Sequence, residues 1–343
     1  MLAHRLGFGP QQPRCQLVDS TGAGSEGLEA EETGQLLLSE HTTPHAAWAV
    51  EADRHAAGVQ PRQWGLPTES LRLQSGCLEF VVDKRGQLVE LGAGSHAGCY
   101  LAQLQGRLAA VKAFELEDGM NSRAAWQEVS LMHTCTHRRI VPLFGVALNE
   151  NLLLVVMRFM QGGSLASALQ REVGRQALRW AAGGRQVALD VAEALAFLHS
   201  RGVLHGDLKP ANVLLSQDHR GFIADLGMAR VLGSSSRAAG CTRLYAAPEQ
   251  LLGSPCTLAA DVYAFGVLLN VLASRRLLSN RGEWALPRAP CDCPAEVVSL
   301  IEQCIVPDPA LRPSAAEVLH RLQASRGGSP NTAAADPVGG GSA

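Results

Sequence analysis

The chain has 343 residues, enough for two lobes with buried cores and ragged ends. Its composition is 46% apolar and 18% charged with a net charge of −2, so nothing marks a nucleic-acid binder or a polybasic membrane anchor. Nine scattered cysteines argue against a disulfide framework and for a reducing compartment; Cys291 and Cys293 are too close for the usual zinc spacing.

Residues 1–76 are rich in Gly, Ala, Glu, Gln and His without a sustained period. They are expected to be a largely disordered extension, with Trp48 and Trp64 the residues suited to dock. Met1 to Arg14 lacks the apolar core of a secretory signal, and no apolar run reaches about 18 residues. A cytoplasmic location with no membrane span is therefore expected. From Leu78 to Phe114 short alternating runs broken by Gly-containing turns predict antiparallel strands, with Leu108, Ala110, Lys112 and Phe114 on one face. From Arg123 to Cys135 the period turns helical, with Trp126, Val129 and Met132 on one side. Leu152 to Phe159 reads as a strand. Arg185 to Ser200 reads as a helix with Val187, Val191, Leu195 and Leu198 on one face and Gly202 as its C-cap. Loops and helices come next, and 325–343 reads as a flexible tail. A strand-rich segment before a helical one predicts an α+β, two-lobed fold with room for a ligand between the lobes.

Five runs carry chemistry. In Leu91-Gly92-Ala93-Gly94-Ser95-His96-Ala97-Gly98-Cys99, glycines let backbone amides approach phosphate oxygens. The same run could open a dinucleotide-binding helix, but the residues after it, Cys99 to Gln105, are strand-like, and by itself it also suits a plain hairpin turn. In Ala110-Val111-Lys112 the period of two puts a small residue and a cation on one face. Ala110 leaves room for a flat base and Lys112 reaches phosphates, or Lys112 is merely a solvated edge charge; Glu128 offers it an ion-pair partner. The third run, His205-Gly206-Asp207-Leu208-Lys209-Pro210-Ala211-Asn212-Val213-Leu214-Leu215, is the most specific. Phosphoryl transfer needs a group to orient the hydroxyl, a cation on the γ-phosphate and a metal ligand, and Asp207, Lys209 and Asn212 fit in that order. His205 taken alone suits a packed core histidine. Fourth, Asp225 in Ala224-Asp225-Leu226-Gly227 can hold Mg²⁺ across phosphates. Fifth, Thr242-Arg243-Leu244-Tyr245-Ala246-Ala247-Pro248-Glu249 precedes Asp261 and Arg312, and Glu249 with Arg312 can form a structural ion pair.

With these motifs in this order, Cys77 to Ala324 resembles the eukaryotic protein kinase family. The resemblance implies a kinase domain over 77–324, with a small lobe at about 77–157 and a large lobe at about 161–324. It implies ATP with Mg²⁺ or Mn²⁺ as cofactors and protein substrates as partners. Lys112 would pair with Glu128, Met157 would be the gatekeeper, and Arg158 to Met160 the hinge whose backbone binds adenine. Asp207 would be the catalytic aspartate, Asn212 and Asp225 the metal ligands, and His205, Leu226, Met132 and Leu143 the regulatory spine. Lys209 and Thr242 resemble the serine/threonine branch. Ile140-Val141-Pro142-Leu143, Gly162-Gly163-Ser164-Leu165 and Asp261-Val262-Tyr263-Ala264-Phe265-Gly266 are most similar to the tyrosine-kinase-like group near its Raf-like members.

Three departures stand out. Gly206 replaces the arginine usual before the catalytic aspartate, Ala97 replaces the third loop glycine, and Ser274 to Pro290 is short and holds Pro287 and Pro290. No regular helix is expected in that last stretch. Because the usual arginine pairs with a phosphorylated residue of the activation segment, Gly206 predicts activity without that phosphorylation. Ser234, Ser235 and Ser236 are acceptors there, Arg230, Arg237 and Arg243 offer a substitute site, and control could come from a partner of residues 1–75. The alternative is a pseudokinase or nucleotide-binding signalling scaffold. A P-loop ATPase lacks its Gly-x-x-x-x-Gly-Lys-[Ser/Thr] run here.

Overall fold

A computed structural model describes residues 71–73, 77–93, 97–116, 119–149, 152–232, 241–278 and 293–325. The extension before residue 71, with Trp48 and Trp64, the tail after 325, Ser234 to Ser236 and the stretch 279–292 lie outside the described residues.

The strand-forming half folds as the alternation predicts. Strands β1 (Leu78–Phe80), β2 (Glu90–Ala93), β3 (Ala97–Leu104) and β4 (Arg107–Glu115) run antiparallel, with β1 and β2 both paired to β3. Helix α1 (Gly119–Thr134) comes next, then β5 (Leu143–Asn149) and β6 (Leu152–Arg158), giving the sheet order β1-β3-β4-β6-β5 with β2 on β3. Arg72 bridges Val146 in parallel, which ties the start of the described chain to β5. On β4 the expected face of Ala110 and Phe114 is buried, but so is the opposite one. Val111, Ala109 and Ala113 pack there with Phe80, Leu154 and Val156 as the core of this unit. A strand covered on both faces reads as a continuous apolar run, so alternation alone could not pick its core side.

The chain divides into two compact units. One holds β1 to β4 with Gly145–Val156; the other holds Gly119–Phe144 and everything described from Met157 onward. In this second unit β7 (Gly163–Ser164) is followed by α2 (Leu165–Gln170) and α3 (Glu172–Ala177), then a single π-helical turn over Trp180–Gly184. That turn runs directly into α4 (Arg185–Ser200), whose expected stripe of Val187, Val191, Leu195 and Leu198 is fully buried. Gly202 ends it as expected, at φ +66, with its N–H on His199 O at 3.0 Å.

After α4 come β8 (Val203–Leu204), a 3₁₀ turn at Pro210–Asn212, β9 (Val213–Leu215), β10 (Gly221–Ile223), a 3₁₀ turn at Leu226–Met228 and β11 (Arg230–Val231). β9 joins β10 and β7 in one small sheet, and β11 pairs with β8. Helix α5 (Pro248–Leu251) leads to α6 (Ala259–Ser274), in which all residues but Ala259 and Tyr263 are buried. A helix apolar on every side belongs in a core, and each buried Leu, Val or Phe contributes about 1.5–3 kcal/mol. Helices α7 (Ala295–Cys304) and α8 (Ala315–Ala324) pack against α6 and α4, respectively. No helix is seen from Arg275 to Leu278, and none of the described helices is long and apolar enough to cross a membrane. The architecture is the α+β, two-lobed protein-kinase fold.

Candidate active site

The run from His205 to Leu215 is held by α6. Asp261, fully buried in its first turn, accepts from His205 N at 2.7 Å, Gly206 N at 2.9 Å and His199 Nε2 at 2.9 Å. Burial pushes this carboxyl up, but the hydrogen bonds and charge of His199, His205 and the Gly206 amide outweigh that and hold it below its ordinary value. His205 is itself fully buried, as the core-histidine reading required, with Nε2 3.3 Å from Ala224 O and Nδ1 accepting from Asp207 N at 3.3 Å.

Held this way, the loop delivers Asp207 into a convergent network. Its Oδ2 accepts from Lys209 Nζ at 2.6 Å and from Asn212 Nδ2 at 3.3 Å, and its Oδ1 accepts from Thr242 N at 2.9 Å. Lys209 Nζ also donates to Thr242 Oγ1 at 2.7 Å. Asn212 spends its Nδ2 on Asp207, with a second bond to Asp207 O at 2.8 Å, so its amide oxygen faces the other way. Asn212 O accepts from Ala224 N at 2.9 Å, which brings the neighbouring Asp225 alongside it. Asp225 sits in the left-handed region at φ 60 and ψ 77 and accepts from Gly227 N at 3.3 Å. Such a conformation costs about 1–3 kcal/mol and persists where the surroundings impose it.

Most of the other predicted positions lie on β2, β3, β4, α1, β6 and β9. Leu91, Gly92 and Ala93 end β2, while Ala97, Gly98 and Cys99 begin β3, with Gly92 opposite Cys99 and Ala93 opposite Gly98. Gly94, Ser95 and His96 lie outside the described residues. A strand succeeds the glycines, so the helix that a dinucleotide site needs is not there. On β4, Lys112 pairs with Cys99 and Ala110 with Leu101. Glu128 is buried on α1, with Oε2 3.0 Å from where a Cβ on Gly227 would stand. Trp126, Val129 and Met132 are buried on the same helix, as its period predicted. Met157 and Met160 are buried and Arg158 is exposed. The Arg158 N–H is taken by Pro142 O at 3.0 Å, so any adenine bond at Arg158 falls to its carbonyl. Leu214 lies on β9, between Ser164 and Phe222.

Behind the site, the expected ion pair forms. Arg312 Nη1 and Nη2 reach Glu249 Oε1 and Oε2 at 2.6 and 2.8 Å, both side chains buried. Its remaining donors go to the carbonyls of Val306, Ala259 and Pro307 at 2.9 Å, so all five guanidinium N–H groups are used.

Two features escaped sequence reasoning. Asp261 stands in a family-like run, but nothing in that run tells what its carboxylate holds. Asp190, 1% exposed, accepts from Arg220 Nε and Nη2, Gln186 Nε2 and Gly221 N at 2.8–2.9 Å, and so fastens α4 to β10. The available signal was a carboxylate lying on the apolar stripe of α4, between Val187 and Val191.

Comparison with known proteins agrees with this geometry. The protein kinase domain profile matches residues 86–322. Relatives include a "probable serine/threonine-protein kinase" of Dictyostelium discoideum, 31% identical over 68% of this chain and 41% of its own length. A mitogen-activated protein kinase kinase kinase 7-like protein of Drosophila melanogaster is 31% identical over 66% of this chain and 63% of its own. Human receptor-interacting serine/threonine-protein kinase 1 is 29% identical over 57% of this chain and 33% of its own. The match thus spans well under two thirds of most of these relatives. With a profile matching most of its length and the motifs in family order, the chain belongs to the protein kinase domain family.

Proposed function

We propose that this chain is a serine/threonine protein kinase of the tyrosine-kinase-like group. It transfers the γ-phosphoryl group of ATP to protein serine or threonine hydroxyls, with Gly206 in place of the usual arginine. The observation that carries this is the Asp207 carboxylate, gripped by Lys209, Asn212 and the Thr242 amide. In this arrangement Asp207 orients the acceptor hydroxyl and takes its proton. Lys209 stands beside both Asp207 and Thr242, where it can meet the transferring phosphoryl oxygens. Names of relatives that carry "serine/threonine-protein kinase" support the acceptor class.

The residues also fit the cofactors. Mg²⁺ or Mn²⁺ bound through phosphates asks for only one or two protein oxygens, and the Asn212 amide oxygen and the Asp225 carboxylate are the pair. When bound, the ion neutralises phosphate charge. Lys112, supported by Glu128, would hold the phosphates from β4, and Ala110, Met157, the hinge from Arg158 to Met160 and Leu214 would take the adenine. Residues 1–76 would serve as a partner-binding extension and 325–343 as a tail on a domain at 77–324, in a cytoplasmic protein.

The test is Mg²⁺-dependent phosphate transfer by purified protein. Asp207→Asn should lower turnover at least about 100-fold, the low end for a positioned base, and Lys112→Met should abolish it with the fold intact. Nucleotide binding without any transfer by the wild type would favour the scaffold reading instead.

A further inference from the structure

Gly206 is where three parts of the second unit meet. Its N–H goes to Asp261 Oδ1 on α6 at 2.9 Å. Its φ is +82, and a Cβ there would stand 2.9 Å from Met228 O, at the start of the activation segment. Its carbonyl accepts from Gln250 Nε2 at 3.2 Å, at the far end of that segment. Gln250 Oε1 in turn accepts from Ala247 N at 2.9 Å, just before α5.

We infer that Gln250 is a positioning residue for Asp207, supplying by an uncharged amide the link between activation segment and catalytic loop that position 206 has no side chain to make. This rests on the assignment of Asp207 as the catalytic aspartate. The chemistry suits glutamine. One end must accept an N–H and the other must donate to a carbonyl; a carboxamide does both at any working pH, whereas an ionised carboxylate can only accept. Ala247 N fixes which way the amide faces, because a flipped group would set NH₂ against N–H and oxygen against oxygen. The carbonyl that is held belongs to the peptide whose nitrogen is Asp207 N. Fixing that peptide plane fixes the start of the Asp207 side chain, and its N–H already lies on His205 Nδ1. Gly206, Thr242, Tyr245 and Gln250 line one small cleft, and across it the bond from Gln250 to Gly206 is direct.

The experiment compares Gln250→Met, which keeps length and removes both bonds, with Gln250→Glu, which keeps the acceptor and loses the donor. Transfer to a generic acceptor protein, myelin basic protein, is measured beside wild type and Asp207→Asn. Gln250→Met should lower kcat about tenfold with KM for ATP within about twofold of wild type. Gln250→Glu should fall further at pH 8. It should recover relative to wild type toward pH 5.5, as its carboxyl gains the proton it needs to donate to Gly206 O. Equal kcat in Gln250→Met and wild type, beside an inactive Asp207→Asn, would overturn the inference and leave the function standing. Hydrogen–deuterium exchange of the peptide 203–212 tests it independently of turnover. Faster exchange in Gln250→Met is expected, and an unchanged rate would overturn it even if wild type transferred nothing.

Discussion

Thr242 donates its backbone N–H to Asp207 Oδ1 across 2.9 Å, so the segment before α5 is fastened directly to the Asp207 carboxylate. The Thr242 hydroxyl meets Lys209 Nζ at 2.7 Å, and that ammonium holds the other oxygen of Asp207 at 2.6 Å. The connection uses one amide, one hydroxyl and one lysine.

Restoring a side chain at position 206 should harm the fold. At φ +82 any non-glycine residue is strained, and its Cβ meets Met228 O. Gly206→Ala and Gly206→Arg should each lose about 1–3 kcal/mol of stability in denaturant titration, with no gain in activity. Unchanged midpoints would show that the backbone relaxes freely there.

The Arg312 and Glu249 pair should be intolerant of close substitutes. Lysine has three donors on one point and cannot fill five sites spread over a planar fork. Arg312→Lys leaves Glu249 buried with poorer partners, and about 3 kcal/mol should be lost. Denaturant midpoints that match wild type would mean the pair adds nothing to stability.

The architecture was largely legible because its signals are local. The period of α4 set both its limits and its buried face, and the strand-like run after Cys99 marked the glycine run as flanked by strands, with Gly92 in β2 and Gly98 in β3. Asp207, Lys209 and Asn212 sit within six positions, so one run of sequence held their relationship. The links that position them were not legible, since Asp261 reaches His205 and Gly206 from 56 and 55 residues away and Gln250 reaches Gly206 from 44. No periodicity reports a contact between distant loops. The two-sided burial of β4 was missed for a related reason, as the cover on its second face comes from other parts of the chain.

Two buried carboxylates give stability a definite pH dependence. Burial raises both, but His199 and backbone amides hold Asp261 below its ordinary value, and Arg312 does the same for Glu249. A carboxyl depressed in the folded state stabilises fully above its unfolded value, about 4 for either residue, and loses that contribution as pH falls through the folded value. Their contribution to the thermal midpoint should therefore be level above about pH 5 and fall below about pH 4 as these groups take up protons. In Asp261→Asn the acid fall should be shallower, starting from a lower plateau. An acid fall as steep as that of wild type would remove Asp261 from this account.

The central claim is that the site is assembled for phosphoryl transfer without a phosphorylated activation segment. It is tested most directly by Mg²⁺-dependent transfer from labelled ATP, using purified protein before and after phosphatase treatment. The triple change of Ser234, Ser235 and Ser236 to Ala is run beside it, with Asp225→Asn as the blank. The account predicts that dephosphorylated protein and the triple variant keep rates within about tenfold of untreated wild type, roughly 1.4 kcal/mol in barrier, while Asp225→Asn gives none. A larger loss in both, or wild-type rates in Asp225→Asn, would contradict it.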